Sequence, residues 1–80
     1  MILSDATKKL FEHALGLDMA NEMYKNSYAD YRLSAENQQR VADGLVVEGD
    51  YIGHAMWWYH LTKKGIDLLM KQRREENERT

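Results

Sequence analysis

The stretch 56–70 constrains the fold of this chain more than any other. Large apolar side chains alternate with other residues up to Leu61, which is the pattern of a half-buried β-strand. Thr62 comes next and belongs to the residue types that cap helices. Apolar side chains then recur at the spacing of a helix, at Ile66, Leu69 and Met70. We therefore predict a strand that leads directly into a helix capped by Thr62, with these three side chains in the core.

Capping residues and glycines predict three further helices before this unit. Each begins after a capping side chain: Asp5 to Leu15 after Ser4, residues 19–25 after Asp18, and residues 35–43 after Ser34. Gly16 and Gly44 can adopt the left-handed conformation that ends the first and the third. Val41, Ala42 and Leu45 are expected to lie on the inner side of the third helix.

The region between the third helix and Thr62 is predicted to form a hairpin. Residues 45–47 form a short strand, residues 48–53 a loop with two glycines, and residues 54–61 the return strand. Farther upstream, residues 26–32 carry tyrosines at spacings that suit either a helix or an irregular loop packed by aromatic rings. The sequence leaves both alternatives open there.

Length and composition predict one soluble domain. Eighty residues allow a single domain, which we place at residues 1–70. Residues 71–80 are predicted to be a charged, partly frayed extension, since no apolar residue follows Met70. The chain has no cysteine, no secretory signal and no apolar run of membrane-spanning length, which favours the cytoplasm and argues against a membrane partner.

The residues around Thr62 resemble the strand-to-helix step of winged-helix regulators. Those proteins show an aromatic residue, any residue, Leu, Thr, two polar residues, Gly and a later Leu pair, as do Tyr59–Gly65 with Leu68 and Leu69. Residues 43–46 resemble the end of their recognition helix as it enters the wing. The resemblance implies a small α+β winged-helix-like domain with three helices, a two-stranded hairpin and a C-terminal helix. It also implies that the Leu packs inward, the Thr caps the last helix and the Gly lets that helix lie close to the strand.

A second resemblance covers nearly the whole chain. Residues 13–17 (His-Ala-Leu-Gly-Leu), residues 24–28 (Tyr-Lys-Asn-Ser-Tyr), residues 44–46 and the Thr62 step look like small proteins encoded by bacteriophages and prophages. Those proteins show an Ala-Leu-Gly-Leu helix end and a Tyr-Arg-Asn-aromatic motif, in which Lys25 replaces the usual Arg here. No chemistry is assigned to that group, so the resemblance implies an origin and no mechanism.

The sequence offers no set of residues for catalysis, a cofactor or a metal. It has no cysteine, no Gly-rich phosphate loop and no serine in a nucleophile-turn motif. His54 and His60 would share a strand face but lie roughly 20 Å apart, too far to bind one metal. We therefore expect a protein that is not an enzyme and takes no small-molecule substrate.

The exposed side of the third helix is the candidate DNA-contacting surface. Asn37 and Gln39 are residue types that pair with adenine edges, and Arg40 is one that pairs with guanine. Acidic residues on the same helix and in the predicted wing, and a net charge of −2, disfavour the phosphate contacts that dominate affinity for DNA. A small winged-helix DNA-binding regulator is therefore the alternative function.

The hairpin supplies the candidate protein interface. If Trp57 faces the core, then Met56 and Trp58 face outward beside Tyr51 and Ile52. Trp, Tyr and Met are enriched at protein interfaces. We therefore predict contact with a protein partner or a second copy of the chain. The predicted function is that of a phage-type accessory protein that modulates host machinery or a host defence system, with virion structure or assembly as a further alternative.

Overall fold

The computed structural model describes residues 1–79, in which three helices and a three-stranded antiparallel sheet form a small α+β structure. The helices are α1 (Asp5–Leu15), α2 (Ala35–Ala42) and α3 (Lys63–Glu78). The strands are β1 (Tyr28–Tyr31), β2 (Val46–Gly53) and β3 (Met56–Leu61), and β3 lies between the other two. The predicted α+β class is confirmed, but the sheet has three strands and not two.

Helix α1 begins and ends where the sequence predicts. The Ser4 hydroxyl accepts a hydrogen bond from the backbone N–H of Thr7, which satisfies one of the unpaired donors of the first turn. Gly16 follows the helix with φ of 83°, the left-handed conformation that glycine adopts without steric cost. The inner side of α1 buries Phe11 completely.

The prediction of a second helix over residues 19–25 is wrong, because the chain there leaves a turn, bends and then runs as an irregular segment. The backbone N–H groups of Tyr24 and Ser27 donate to the last two carbonyls of α1, at 3.2 and 3.0 Å. Those carbonyls have no partner within α1, so the returning chain satisfies them and cannot continue as a helix. The Asp18 carboxylate, expected to cap, instead pairs with the His13 ring at 2.8 Å.

The region that the sequence left open contains β1. Tyr28 pairs with Tyr59 of β3, and the two buried rings stack with centroids 5.6 Å apart. Asn26 lies just before β1, and its side-chain amide bonds to the backbone of β3 as a neighbouring strand would. Its Nδ2 donates to the Leu61 carbonyl at 3.0 Å, and its Oδ1 accepts from the Leu61 N–H at 2.8 Å. This amide therefore fixes where β1 meets the end of β3.

Helix α2 has the predicted cap at Ser34 but faces the core with a different side. Val41 is 42% exposed and Ala42 is also exposed, so the prediction that they face inward is wrong, whereas Leu45 is buried as expected. The inner side carries Asn37, which is 1% exposed and accepts a hydrogen bond from a buried tyrosine hydroxyl at 2.7 Å. With so few apolar residues in α2, polar contacts set its rotation.

The hairpin turn lies at His54 and Ala55, and the predicted loop over residues 48–53 belongs to β2. Both turn residues have positive φ, 55° and 62°, which suits a two-residue turn between twisted antiparallel strands. Gly49 and Gly53 therefore do not form the turn. They lie within β2, close to two register shifts at which β2 accommodates extra residues.

The start of α3 confirms the predicted cap. The Thr62 hydroxyl oxygen accepts from the Gly65 N–H at 3.1 Å, and the hydroxyl donates to the Gly44 carbonyl at 2.6 Å. Gly65 is needed for the close approach, because an added Cβ would collide with the Leu45 carbonyl oxygen. Farther along α3, Leu69 is fully buried and Ile66 packs against the core.

Met70, also expected in the core, is 39% exposed, so that prediction is wrong. On the inward side of α3, the residues that follow Leu69 are polar, and they contact α1 and the N-terminal segment. Arg73 pairs with Glu12 at 3.3 Å, and the Gln72 amide makes hydrogen bonds to both backbone groups of Leu3. Residues 71–78 of the predicted extension thus continue α3, and Thr80 lies outside the described residues.

The core lies on one side of the sheet. Side chains from the N-terminal segment, α1 and α3 meet the inward side chains of the strands there; the largest buried ones include Tyr59, Phe11, Leu15 and Leu69. The winged-helix arrangement is not confirmed. A helix-turn-helix needs two consecutive helices joined by a short turn, and α2 is the single helix between β1 and β2. Within residues 1–79 no helix is long and apolar enough to cross a membrane.

Candidate protein-interaction surface

We call the side of the sheet that faces away from the helices the outer sheet face. Side chains on one side of a sheet occupy alternate positions along each strand and lie opposite one another on neighbouring strands. The strand register pairs the members of the outer sheet face as Tyr31 with Met56, Ala29 with Trp58, and Val47 with His60. None of these six residues carries a formal charge when the histidine is neutral.

Trp58 lies at the centre of the outer sheet face, on the middle strand. It is 41% exposed, and its neighbours Tyr31 and Val47 are 54% and 51% exposed. The helices bury their apolar side chains against the opposite side of the sheet, together with Tyr28 and Tyr59. The outer sheet face is therefore an aromatic and aliphatic surface that none of the described helices covers.

The two register shifts of β2 extend this surface at its edge. Gly49 and Asp50 together oppose Trp58, and Ile52 is the extra residue beside Met56. A Cβ at Gly49 would lie 2.6 Å from Nε2 of His60, so a larger residue there would require that ring to move. Ile52 is 45% exposed, and Asp50 adds one carboxylate to an otherwise uncharged surface.

Tyr51 lies on the opposite side of the hairpin from Trp58. The register pairs Tyr51 with Trp57, and the two rings are 4.6 Å apart. The Arg32 guanidinium lies 4.1 Å above the Trp57 ring, a cation–π geometry. Of the four residues that the sequence grouped as an interface, the register thus places Met56 and Trp58 on the outer sheet face, puts Ile52 at its edge beside Met56, and separates Tyr51 from them.

The polar groups next to Trp57 form a closed network. Arg32 donates two hydrogen bonds of 2.7 Å to the two oxygens of Glu48, and the Tyr59 hydroxyl donates to Glu48 at 3.0 Å. The hydrogen bonds from Arg32 hold the pKa of Glu48 below its usual value. Burial, and then the neighbouring Glu48, raise the pKa of Tyr59. These groups stabilise each other in fixed protonation states and are poorly suited to proton transfer near neutral pH.

Two of the three candidate DNA-contacting side chains are occupied inside the fold. Asn37 is buried, and Arg40 donates to Thr7 at 3.3 Å and pairs with Asp30 at 3.5 Å. The Arg40 side chain is only 11% exposed. Gln39 is exposed and donates to the carboxylate of Asp43, the residue that follows α2. Asn37 and Arg40 would have to leave these contacts to reach base edges.

The sequence reasoning missed Tyr31 and Val47 as members of the surface. The signal for Tyr31 was present, because Tyr28 and Tyr31 are large aromatic residues of the type enriched in strands, but the four-residue strand is too short for its period to be recognised. For Val47, the alternation with Val46 already placed the two side chains on opposite sides of a strand. Val46 is buried and Val47 is exposed, as that alternation requires.

The residues that carry the phage resemblance have structural roles in this fold. The Tyr24 ring packs over Gly16, where an added Cβ would collide with it. Asn26 and Tyr28 join β1 to β3. The described part of the chain also contains no group of three or more side chains able to hold a metal ion.

Compared with known proteins, the chain matches no family model, no curated protein and no solved structure.

Proposed function

We propose that this chain is a non-enzymatic protein that acts by contacting another protein through the outer sheet face. The observation that carries the proposal is Trp58, which is 41% exposed on the middle strand of a surface that no described helix covers. Contiguous exposed apolar surface on a small protein commonly marks a contact site. Tryptophan is among the residues that contribute most binding energy at such sites.

The origin and setting of this contact are part of the proposal. The resemblance of residues 13–17 and 24–28 to phage and prophage proteins supports an accessory protein that acts in the cytoplasm of a host bacterium. Its target would be a component of host machinery or of a host defence system. The net charge of −2 and the mostly uncharged outer sheet face support a protein target over a nucleic acid.

We also propose a relationship to winged-helix domains in which one of the two helices between β1 and β2 is absent. The order of helix, strand, helix, hairpin and helix supports it, as does the Thr62 cap with Gly65 against the strand. The single helix between β1 and β2 departs from it. No observation favours DNA binding as a second function, since Asn37 and Arg40 are held inside the fold.

The test compares proteins captured from a bacterial lysate by three immobilised chains: the wild type, Trp58→Ser and Tyr51→Ser. The Tyr51 variant is the matched control, because it removes an exposed aromatic side chain from the other side of the same hairpin. We expect a protein that the wild type and Tyr51→Ser retain and that Trp58→Ser loses. Equal retention by all three chains, or a gel shift with DNA that survives Trp58→Ser, would contradict the proposal.

A further inference from the structure

We propose that the occupant of the outer sheet face is an amphipathic α-helix of the partner protein, laid along β3 over Trp58. This inference rests on the proposed function and specifies its partner. It follows from the size of the surface, from its chemistry and from the apolar sheet face that the described helices leave uncovered.

The dimensions of the surface match one helix. Three strands spaced about 4.8 Å apart put the outer strand axes about 10 Å from each other, and the six residues of β3 extend about 20 Å. An α-helix with its side chains is about 10–12 Å wide, and about 14 residues are 21 Å long. A helix of four turns therefore covers Trp58, Met56 and their neighbours on both flanking strands.

A second copy of this chain is a poorer fit to the same surface. Its projected area is roughly 300 Å² from these strand spacings. A stable dimer usually buries about 800 Å² on each partner. Two outer sheet faces packed on each other would fall short of the area of a stable dimer, whereas a surface of this size suits a weaker, transient contact with one short helix.

The composition of the uncovered face supports the same occupant. An antiparallel sheet with helices on one face commonly presents polar side chains to water on the other. Here the described helices cover only the side that carries Tyr59, and the apolar Trp58 remains on the uncovered side. The apolar side of a partner helix would bury it.

The charge at the edge of the surface specifies the partner further. Asp50 is exposed at the first register shift, opposite Trp58, and forms no ion pair with any residue in the described range 1–79. The paired residues of the surface include no acidic side chain, no lysine and no arginine. The helix should therefore present an apolar stripe, with residues such as Leu at i, i+3, i+4 and i+7, flanked by basic side chains.

The experiment uses three acetylated and amidated peptides of about 14 residues as probes. The first is a leucine–lysine peptide with leucines at helical spacing. The second has the same composition with leucines at alternate positions, which favours a strand. The third replaces the lysines of the first with glutamates. Binding is measured by the chemical shifts of the two tryptophan indole N–H groups and by titration of the wild type, Trp58→Ser, Val47→Lys and Tyr51→Ser.

We expect the first peptide to bind, to shift the Trp58 indole signal, and to bind at least tenfold more tightly than the other two. Trp58→Ser and Val47→Lys should each weaken it at least tenfold, and Tyr51→Ser by less than threefold. Two substitutions at different exposed positions guard against a variant that fails to fold, which a melting curve detects.

Other results separate this inference from the proposed function. Equal or tighter binding of the alternating peptide would overturn the helix and leave a strand partner. Self-association in sedimentation equilibrium that Trp58→Ser abolishes would assign the surface to a second copy. No binding of the helical peptide, with a lysate protein still captured through Trp58, would overturn the helix while the proposed function stands. Peptide binding whose affinity is unchanged by Trp58→Ser and by Val47→Lys would overturn it as well.

Discussion

Replacing Asn26 with Ala removes two side-chain hydrogen bonds that join the start of β1 to the end of β3. These are the Asn26 Nδ2 bond to the Leu61 carbonyl at 3.0 Å and the Leu61 N–H bond to Asn26 Oδ1 at 2.8 Å. Each bond contributes about 0.5–1.5 kcal/mol, and a buried group left without a partner costs about 1–3 kcal/mol. Leu61 is 4% exposed, so water replaces the lost bonds only in part. We expect the free energy of unfolding to fall by about 2–4 kcal/mol.

That loss is large for a chain of this size. Eighty residues correspond to a free energy of unfolding of roughly 4–12 kcal/mol. Each kcal/mol shifts the melting temperature of such a domain by about 4–8 °C, so Asn26→Ala should melt roughly 8–32 °C below the wild type. Thermal and urea unfolding followed by circular dichroism measure both quantities. Asn21→Ala is the matched control, since Asn21 is exposed in the preceding turn and should change stability by less than about 0.5 kcal/mol.

A second substitution at the same position isolates the donor. Asn26→Asp keeps an oxygen that can accept from the Leu61 N–H, but at neutral pH it places a carboxylate against the Leu61 carbonyl. Relative to the wild type at the same pH, it should recover stability as acid protonates the new carboxyl group, which can then donate. If Asn26→Ala has the same melting temperature as Asn21→Ala, or if Asn26→Asp shows no such recovery, the hydrogen bonds of the Asn26 side chain contribute nothing to stability and the reasoning is refuted.

Three further predictions concern the start of α3 and the buried tyrosine. Gly65→Ala should cost about 1–3 kcal/mol or more in a urea titration, because its Cβ collides with the Leu45 carbonyl oxygen, whereas Lys64→Ala loses only an exposed hydrogen bond to the Asp43 carbonyl and should cost about 1 kcal/mol or less. Thr62→Ala should cost about 1 kcal/mol and Thr62→Ser much less, since serine keeps the hydroxyl; equal losses would show that the cap does not contribute. Burial raises the pKa of Tyr28 to about 12, so between pH 10 and 12 the unfolded chain loses a proton that the folded chain keeps. Stability should fall with rising pH there by up to roughly 2–3 kcal/mol, and Tyr28→Phe should flatten that dependence, as measured by melting at each pH.

Most elements could be predicted because their signals are local. The Ser4, Ser34 and Thr62 caps act within one helical turn, and the glycine after α1 acts on its own φ. The β3 alternation placed Tyr59 inward and Trp58 outward for the same reason, since neighbouring side chains of a strand point to opposite sides. The centre of the candidate surface was therefore accessible from the sequence.

The failed predictions share a nonlocal cause. A register shift cannot be read from one strand, so Tyr51 was placed beside Trp58 although it pairs with Trp57. Asn37 and Arg40 have the composition of an exposed helix face, and their roles depend on partners from α1 and β1 that are distant in sequence.

The sequence by itself determined the three helices that form, the strand that enters α3, and the exposure of Trp58, because caps, glycines and alternation act over a few residues. Only the tertiary structure decided that residues 19–25 do not form a helix, since the N–H groups of Tyr24 and Ser27 satisfy the carbonyls at the end of α1. It also decided that β1 joins the sheet, which brings Tyr31 to the outer sheet face. Both outcomes depend on which backbone groups and side chains meet across the folded chain, and pairing between distant residues is information that no local pattern contains.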